Sequence, residues 1–339
     1  MKRRTGRFPA RPLARAQGGA AILTAMLTVV LVATLATTVL WQQWRAVEVE
    51  AAERTRTQSA WVLSGALDWA RLILREDARQ GGADHLGEPW AVPLEQARLS
   101  TFLAADRSST LETDATQEAF LAGRIVDLQS RLNVANLVLN GKVHEPSRAA
   151  FARLFDHLGL PASELEVMVD QLRRAHPGDP ANPAAAASAA DAAADPTAPL
   201  WPQDLAQLAW VGLSPPSIAV LRPFVTVLPM RTPVNLNTAP AEVIYACVEE
   251  FELADAHRLV TARSLKPLTS LADARQVAGE KPRFDGARHA VKSDFFEVAG
   301  NLRLEQITVQ VRSVVQREGL EVKTIWRKRD VAAAQAPLQ

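Results

Sequence analysis

The sequence is poor in several residue types on which particular classes of protein depend. Cys247 is the only cysteine, so no intramolecular disulfide can form and the fold must be stable through packing alone. This excludes a disulfide scaffold, although it does not exclude an extracytoplasmic location. No Asp or Glu precedes Glu48, whereas the N-terminus carries six cations: Lys2, Arg3, Arg4, Arg7, Arg11 and Arg15. The remainder is mildly acidic, which gives no general reason to expect a nucleic-acid partner.

Motifs for catalysis and metal binding are also missing. The six histidines show no metal-ligand spacing, and there is no phosphate-binding loop or Gly-x-Ser-x-Gly elbow. Cys247 lies on an apolar helix face, which favours a small buried hydrophobic residue over a nucleophile. We therefore expect that the chain is not an enzyme and has no catalytic residue, cofactor site or metal ligand.

The most prominent feature present is an uncharged apolar run over residues 20–41. At about 1.5 Å per helical residue, the run is long enough to cross a hydrocarbon core about 30 Å thick. The cations before the run favour a cytoplasmic N-terminus, which places the rest of the chain across the membrane. Trp41 and Trp44 fit interface anchors at the end of the span. The sequence thus predicts a single-pass transmembrane helix.

Helical spacing of apolar residues continues beyond the run, from Trp44 through Val47 and Ala51 to Ile73. A cleavable secretory signal would have a shorter apolar core followed by a change of character. We predict one long helix with a transmembrane part (20–41) and a periplasmic part (42–80). The alternative for this segment is an ordinary anchor followed by a separate amphipathic helix. A single-pass structural or scaffold protein that is never processed is a separate alternative for the function.

The N-terminal region resembles the type IV pilin class, in which a short basic leader ending in Gly precedes a helix that serves as both anchor and filament core. A prepilin peptidase cuts such chains after the Gly. The resemblance implies a leader over residues 1–19 and a cut between Gly19 and Ala20, with Gly18 leaving a one-residue alternative.

Thr24 would be the fifth residue of the processed chain, where most pilins have Glu. A carboxylate in the apolar layer costs on the order of 2–3 kcal/mol unless it meets a cation. In the pilin class that cation is the terminal amine of the subunit ahead. Thr24 therefore suggests a subunit with none ahead, at the filament tip.

Two regions show the period-two alternation of β-strands. Residues 120–138 predict a half-buried strand with one apolar and one polar side. The apolar side has Val126, Leu128, Leu132 and Val134, and the polar side has Asp127, Gln129, Arg131 and Asn133. Near the C-terminus, residues 307–316 alternate in the same way, and Glu318-Gly319 predicts a hairpin turn before a second strand.

The middle of the chain is predicted to be helical. Residues 145–160 and 163–175 have apolar residues at helical spacing, Ser163 with Glu166 predicts a capping box, and Thr238 is predicted to cap a further helix. The predicted division is a sheet-bearing domain (81–143 and 291–330), a helical insertion (144–290) with a flexible Pro/Ala-rich loop (177–200), and a disordered tail (331–339). The fold class is α+β.

Residues 233–274 resemble a helix-hairpin-helix module, which can hold nucleic-acid phosphate. That chemistry needs a Gly-bearing hairpin and nearby cations, whereas this chain has the acidic stretch "CVEEFELAD" with Glu249, Glu250, Glu252 and Asp255. We therefore do not expect nucleic-acid binding. A membrane-anchored helix-hairpin-helix DNA-binding protein of a DNA-uptake system is kept as the alternative function.

The same module also resembles the K-type minor pseudopilin family of type II secretion, the general secretion pathway. The resemblance extends to "LRPFVTVLP" before the module and to "LREDARQGGADHLGEPWA", "GRIVDLQSRLNVANLV" and "FFEVAGNLRL" elsewhere in the chain. The resemblance implies a pilin-like antiparallel sheet with a large all-α insertion of helix-hairpin-helix or SAM-like type. It implies a non-catalytic subunit at the tip of a periplasmic pseudopilus, anchored in the inner membrane. The implied partners are the I- and J-type minor pseudopilins, the major pseudopilin, the prepilin peptidase and the inner-membrane platform.

Members of this family can bind calcium through an acid-rich loop in the insertion. The corresponding segment here is the Pro/Ala-rich loop, whose acids are the scattered Asp179, Asp191 and Asp195. Calcium takes six to eight oxygen ligands around one point. We therefore expect no calcium site in this loop.

Overall fold

The computed structural model describes residues 18–98, 119–176, 197–279, 281–304 and 307–333. The chain divides into two compact units, Met1–Ala60 and Trp61–Gln339, which are described separately. Residues 1–17 of the predicted leader, 177–196 of the predicted loop and 334–339 of the predicted tail lie outside the described residues.

Helix α1 runs without interruption from Gly18 to Gln80, so its residues fall in both units. The long helix of the predicted fold class is therefore confirmed, and a separate amphipathic helix after the anchor is not what is observed. In the first unit, threonine hydroxyls donate hydrogen bonds to backbone carbonyls three or four residues earlier, at Thr24, Thr28, Thr34, Thr37, Thr38, Thr55 and Thr57. These hydroxyls need no water to satisfy their donors, which suits an apolar environment.

The second unit contains a five-stranded antiparallel sheet in the order β1-β2-β9-β10-β11 and three short two-stranded pairings, β3 with β6, β4 with β5 and β7 with β8. The strands are β1 (Leu94–Arg98), β2 (Ala119–Asp127), β3 (Leu132–Asn133), β4 (Val138–Leu139), β5 (Lys142–Val143), β6 (Val225–Thr226), β7 (Val234–Asn235), β8 (His289–Ala290), β9 (Phe295–Leu304), β10 (Ile307–Glu318) and β11 (Glu321–Ala333).

One face of the sheet is covered by the last turns of α1. Leu63 packs with Leu121 and Leu302, and further along the helix Leu67 and Leu74 pack in a cluster that includes Phe296, Val315 and Val322. These helix residues recur every three to four positions, so a single stripe of α1 is buried while the other side remains exposed.

The predicted C-terminal hairpin is confirmed, with its turn one residue later than expected. Glu318 pairs with Glu321, so Gly319 and Leu320 form the loop, and Gly319 takes a positive φ of 59° that glycine adopts without strain. Strand β11 continues to Ala333, so residues 331–333 of the segment predicted to be a disordered tail are β-strand.

The predicted strand over residues 120–138 is wrong beyond Asp127, where β2 ends. The Asp127 carboxylate accepts a hydrogen bond from the Gln129 backbone N–H at 2.7 Å, and the Asn133 side chain accepts one from Ala135 N–H. These local side-chain bonds turn the chain into two short 3₁₀-helices, Leu128–Ser130 and Val134–Leu137. The supposed polar side of the strand is consequently buried.

The helical part of the second unit has a core of its own. Its α-helices are α2 (Glu145–His157), α3 (Ala162–Ala175), α4 (Pro215–Leu221), α5 (Ala241–Cys247), α6 (Leu253–Leu265) and α7 (Leu271–Ala278), and it also contains a 3₁₀-helix at Leu205–Val211. A further 3₁₀-helix, Pro89–Ala91, precedes β1 and lies outside this part. The predicted buried residues of α2 and α3 are confirmed, among them Phe151, Leu154, Met168 and Leu172.

Two details of this helical part differ from expectation. The core already includes Leu132 and Leu137, so the chain enters it at residue 132 instead of residue 144. The predicted capping box at Ser163 is absent, since α3 begins at Ala162 without a side-chain cap. Glu166 instead forms an ion pair with Arg148 of α2 at 2.9 Å.

Candidate functional site: the exposed apolar helix and a buried polar cluster

The part of α1 in the first unit presents apolar side chains with no protein cover. Every residue from 20 to 50 is exposed, and large side chains such as Leu23 (70%) and Leu27 (67%) expose most of their surface. Soluble monomers rarely leave so large a continuous apolar surface in water. The helix is long and apolar enough to cross a membrane.

The residues predicted for processing lie at the start of this helix. Gly19 and Ala20 fall in its first turn, immediately after Gly18, where the described helix begins. The Thr24 hydroxyl lies 3.0 Å from the carbonyl oxygen of Ala20 and 2.9 Å from that of Ala21, to which it donates. Thr24 is thus satisfied within its own helix, whereas a carboxylate there would need a cation from elsewhere. Cleavage at Gly19 and a tip position for Thr24 stay predictions.

A cluster of buried charged and polar groups in the second unit was not predicted. Arg317 of β10 donates hydrogen bonds to Asp77 and Asp84 carboxylates and to the Ser293 carbonyl, each at 2.6 Å. Burial raises the pKa of Asp84, and the hydrogen bonds from Arg317 oppose that rise. The arginine thereby joins the end of α1, the loop after it and the sheet.

Asp127 is the acceptor at the centre of the same cluster. Its Oδ2 accepts hydrogen bonds from the Thr238 hydroxyl at 2.5 Å, the Ser293 hydroxyl at 2.6 Å and the Asn235 side-chain amide at 3.1 Å. Burial raises the pKa of Asp127 to about 6. The cluster connects the end of β2 to β7 and the segment before β9, where the sheet meets the helical part.

The predicted role of Thr238 is therefore wrong. Helix α5 begins after Pro240 without a side-chain cap, and the Thr238 hydroxyl is used by Asp127 instead. The polar residues Asp127, Gln129 and Asn133 are visible in the sequence, but their alternation with apolar residues predicts that they face solvent.

Three carboxylates near this cluster have a spacing that could hold a metal ion. Ligand atoms of Asp77, Asp84 and Glu88 lie within 4.8 Å of one another. Arg317 already supplies the positive charge for the two aspartates, and Glu88 accepts hydrogen bonds from the Trp90 indole and the His85 backbone N–H. The donor set therefore fits an ion-pair network better than a cation site. Asp179, Asp191 and Asp195 lie outside the described residues.

The segment that resembles a helix-hairpin-helix module has an acidic connection. Between α5 and α6, Glu249 pairs with Arg288 at 2.7 Å, and Glu252 with Asp255 caps α6 in a reciprocal capping box. These groups repel phosphate where a nucleic-acid-binding hairpin would attract it. Cys247, at the end of α5, is buried, and burial raises the pKa of its thiol to about 12.

Comparison with protein families places these features in a known group. Two adjacent family models, both described as type II secretion system protein K, match residues 130–230 and 234–294. The type II secretion system protein K of Pseudomonas aeruginosa is 28% identical over 337 residues, which cover 96% of each chain. Over these residues the chain is similar to the type II secretion system protein K family. The matched residues include the helical part and, from the polar cluster, Asn235, Thr238 and Ser293.

A solved structure shows the same fold as this chain. A chain in the crystal structure of the GspK–GspI–GspJ complex of the enterotoxigenic Escherichia coli type II secretion system matches with a TM-score of 0.56 at 16% identity. The match covers 82% of this chain and 98% of that one. The predicted fold class and the predicted resemblance to protein K are confirmed, and the DNA-uptake alternative is not supported by these comparisons.

Proposed function

We propose that this protein is a minor pseudopilin that assembles with I- and J-type minor pseudopilins at the tip of the type II secretion pseudopilus. The observation that carries the proposal is the uncovered apolar surface of α1 over residues 20–50. A surface of this kind needs lipid or other apolar helices around it. The similarity to type II secretion system protein K supports secretion as the process, and the GspK–GspI–GspJ complex that holds the structurally similar chain supports minor pseudopilins as the partners.

The helix suits two successive environments. In the inner membrane, the ten Ile, Leu and Val residues of 20–41 contribute roughly 3–6 kcal/mol of insertion free energy, with the N-terminus in the cytoplasm and the bulk of the chain in the periplasm. In the pseudopilus, the same side chains pack against the helices of other subunits. The self-satisfied threonine hydroxyls allow the helix to leave one apolar environment for the other without an unpaired donor.

The chain itself performs no reaction in this proposal; the prepilin peptidase acts on it. The cut falls between Gly19 and Ala20 and leaves the apolar helix at the new N-terminus. The subunit then initiates or caps the filament, together with the major pseudopilin and the inner-membrane platform. Thr24 supports the tip position because a first subunit has no amine ahead of it for a Glu to meet.

Intact-mass measurement of the full chain, produced in cells with and without the prepilin peptidase, tests the processing step. We expect the peptidase to remove residues 1–19, Gly19→Val to block the cut and Gly18→Val to leave it unchanged. A chain that keeps its leader in the presence of an active peptidase would support the unprocessed scaffold instead. A cut that is blocked by Gly18→Val would move the site by one residue.

A further inference from the structure

A cleft of about 670 Å³ lies where the outer face of the sheet meets the helical part of the second unit. Its walls come from distant parts of the chain: Trp201, Leu228, Met230, Arg231, Val314 and Trp326. Large apolar side chains in it are incompletely covered, since Met230 is 52% exposed and Ile325 39% exposed. The volume is sufficient for one or two large side chains of a bound segment.

Arg231 brings a positive charge to this apolar cleft. Its Nε is buried and has no hydrogen-bond partner among the described residues. Burial lowers the pKa of Arg231, and no carboxylate in the described chain offsets that effect. The side chain as a whole is only partly buried, so an incoming carboxylate can reach the guanidinium and form a charge-assisted hydrogen bond with it.

The sheet face that continues from the cleft carries charges of both signs. Val314 and Trp326 pair across β10 and β11, and the next pair on the same face is Arg312 with Lys328. Beside these cations stand Glu297, in register with Val314, and Asp204, whose carboxylate is 4.0 Å from the Lys328 amine. Asp330 follows at the next register position of β11, opposite Gln310. The cation that distinguishes the cleft from this mixed face is therefore Arg231.

We propose that this cleft binds an acidic segment of a partner protein, with an apolar side chain in the cleft and a neighbouring carboxylate on Arg231. Charge complementarity selects the occupant: the apolar walls need an apolar anchor, while Arg231 needs a carboxylate. This face of the sheet is opposite to the face that the last turns of α1 cover.

The test uses the full chain in detergent micelles and two fluorescein-labelled decapeptides, one alternating aspartate with leucine and one alternating asparagine with leucine. Fluorescence anisotropy should show binding of the aspartate peptide that weakens with added salt, and at least tenfold weaker binding of the asparagine peptide. Arg231→Gln should weaken binding of the aspartate peptide about tenfold or more and abolish the preference between the two peptides. Arg222→Gln, a change at an exposed arginine that does not line the cleft, should have no effect.

A second variant guards against a folding defect in Arg231→Gln. Met230→Asp places a like charge at an exposed cleft position and should also abolish binding of the aspartate peptide while the thermal unfolding midpoint stays near that of the parent chain. Equal binding of both peptides, or binding that survives both substitutions, would overturn the proposal. Pseudopilus assembly through α1 is a separate property, so failure of peptide binding in chains that are processed and assembled would refute the cleft alone.

Discussion

Asp127 shows how one side chain can hold several elements of this fold in place. Its carboxylate accepts hydrogen bonds from groups 108 to 166 residues away in sequence, on β7 and on the segment before β9, besides the local Gln129 N–H. All four partners are donors, so the carboxylate is fully used although it is shielded from water. Removal of this acceptor leaves buried donors without a partner.

We therefore expect Asp127→Ala to lower the free energy of unfolding by about 3 kcal/mol, because buried donors lose a charged acceptor. Chemical denaturation of the full chain in detergent, followed by tryptophan fluorescence, measures this. Asp170→Ala, at an exposed position of α3, is the control and should change stability by less than about 0.5 kcal/mol. Equal effects of the two substitutions would show that the cluster does not support the fold.

The same residue predicts a pH dependence. Its pKa is raised from 3.8 to about 6, so between these values the folded chain holds a proton that the unfolded chain has released. The stability contributed by this group is fully present below the unfolded pKa and is lost as pH rises through about 6. The destabilisation caused by Asp127→Asn, which cannot titrate, should thus be larger at pH 4.5 than at pH 7.5, by roughly 2 kcal/mol. A difference independent of pH would contradict this.

At the scale of elements, the last turns of α1 pack on the sheet and form part of the core of the second unit. Leu74 is fully buried in the cluster with Phe296 and Val315, whereas Leu72, two residues earlier on the same helix, is 57% exposed. The two leucines differ only in which face of the helix they occupy, which makes them a matched pair.

We expect Leu74→Ala to lower the free energy of unfolding by about 2–5 kcal/mol, since it leaves a cavity between helix and sheet. Leu72→Ala should change it by less than about 1 kcal/mol because its side chain is already largely in solvent. Denaturant unfolding of both full-length variants in detergent provides the comparison. A similar loss from both would indicate that the exposed face of this part of α1 is covered as well.

Elements fixed by local periodicity were predictable from the sequence, and those fixed by distant partners were not. The apolar spacing of α1, α2 and α3 and the alternation of β10 and β11 depend on neighbours within a few residues, and these elements appear where expected. Residues 128–138 alternate equally well, yet there Asp127 and Asn133 bond to the nearby backbone and to residues about 95 to 110 positions away. Thr238 likewise looked like a cap because its partner, Asp127, is remote in sequence.

At the scale of the whole molecule, the proposed tip position depends on Thr24. A carboxylate at this position would cost on the order of 2–3 kcal/mol in an apolar layer unless a subunit ahead offered its terminal amine. Thr24 makes no such demand, since its hydroxyl bonds within the helix. The proposed tip position thus rests on the absence of a carboxylate at residue 24.

Immunogold labelling along pseudopili from cells that overproduce the major pseudopilin tests this position. We expect the parent chain at filament ends, and Thr24→Glu along the shaft as well, because the introduced carboxylate can pair with the amine of a subunit ahead. Thr24→Gln, which adds polarity without charge, should stay at the ends. Thr24→Glu confined to the ends, or the parent chain found along the shaft, would refute the tip assignment.

The burial of Cys247 has a practical consequence for mapping the contacts of this protein. Its thiol is inaccessible and stays protonated well above neutral pH, so it neither alkylates nor exchanges under ordinary labelling conditions. A cysteine introduced on the surface of the otherwise natural chain would accordingly be its sole reactive thiol. Maleimide probes, spin labels and engineered intersubunit disulfides can therefore be used without first replacing a native residue.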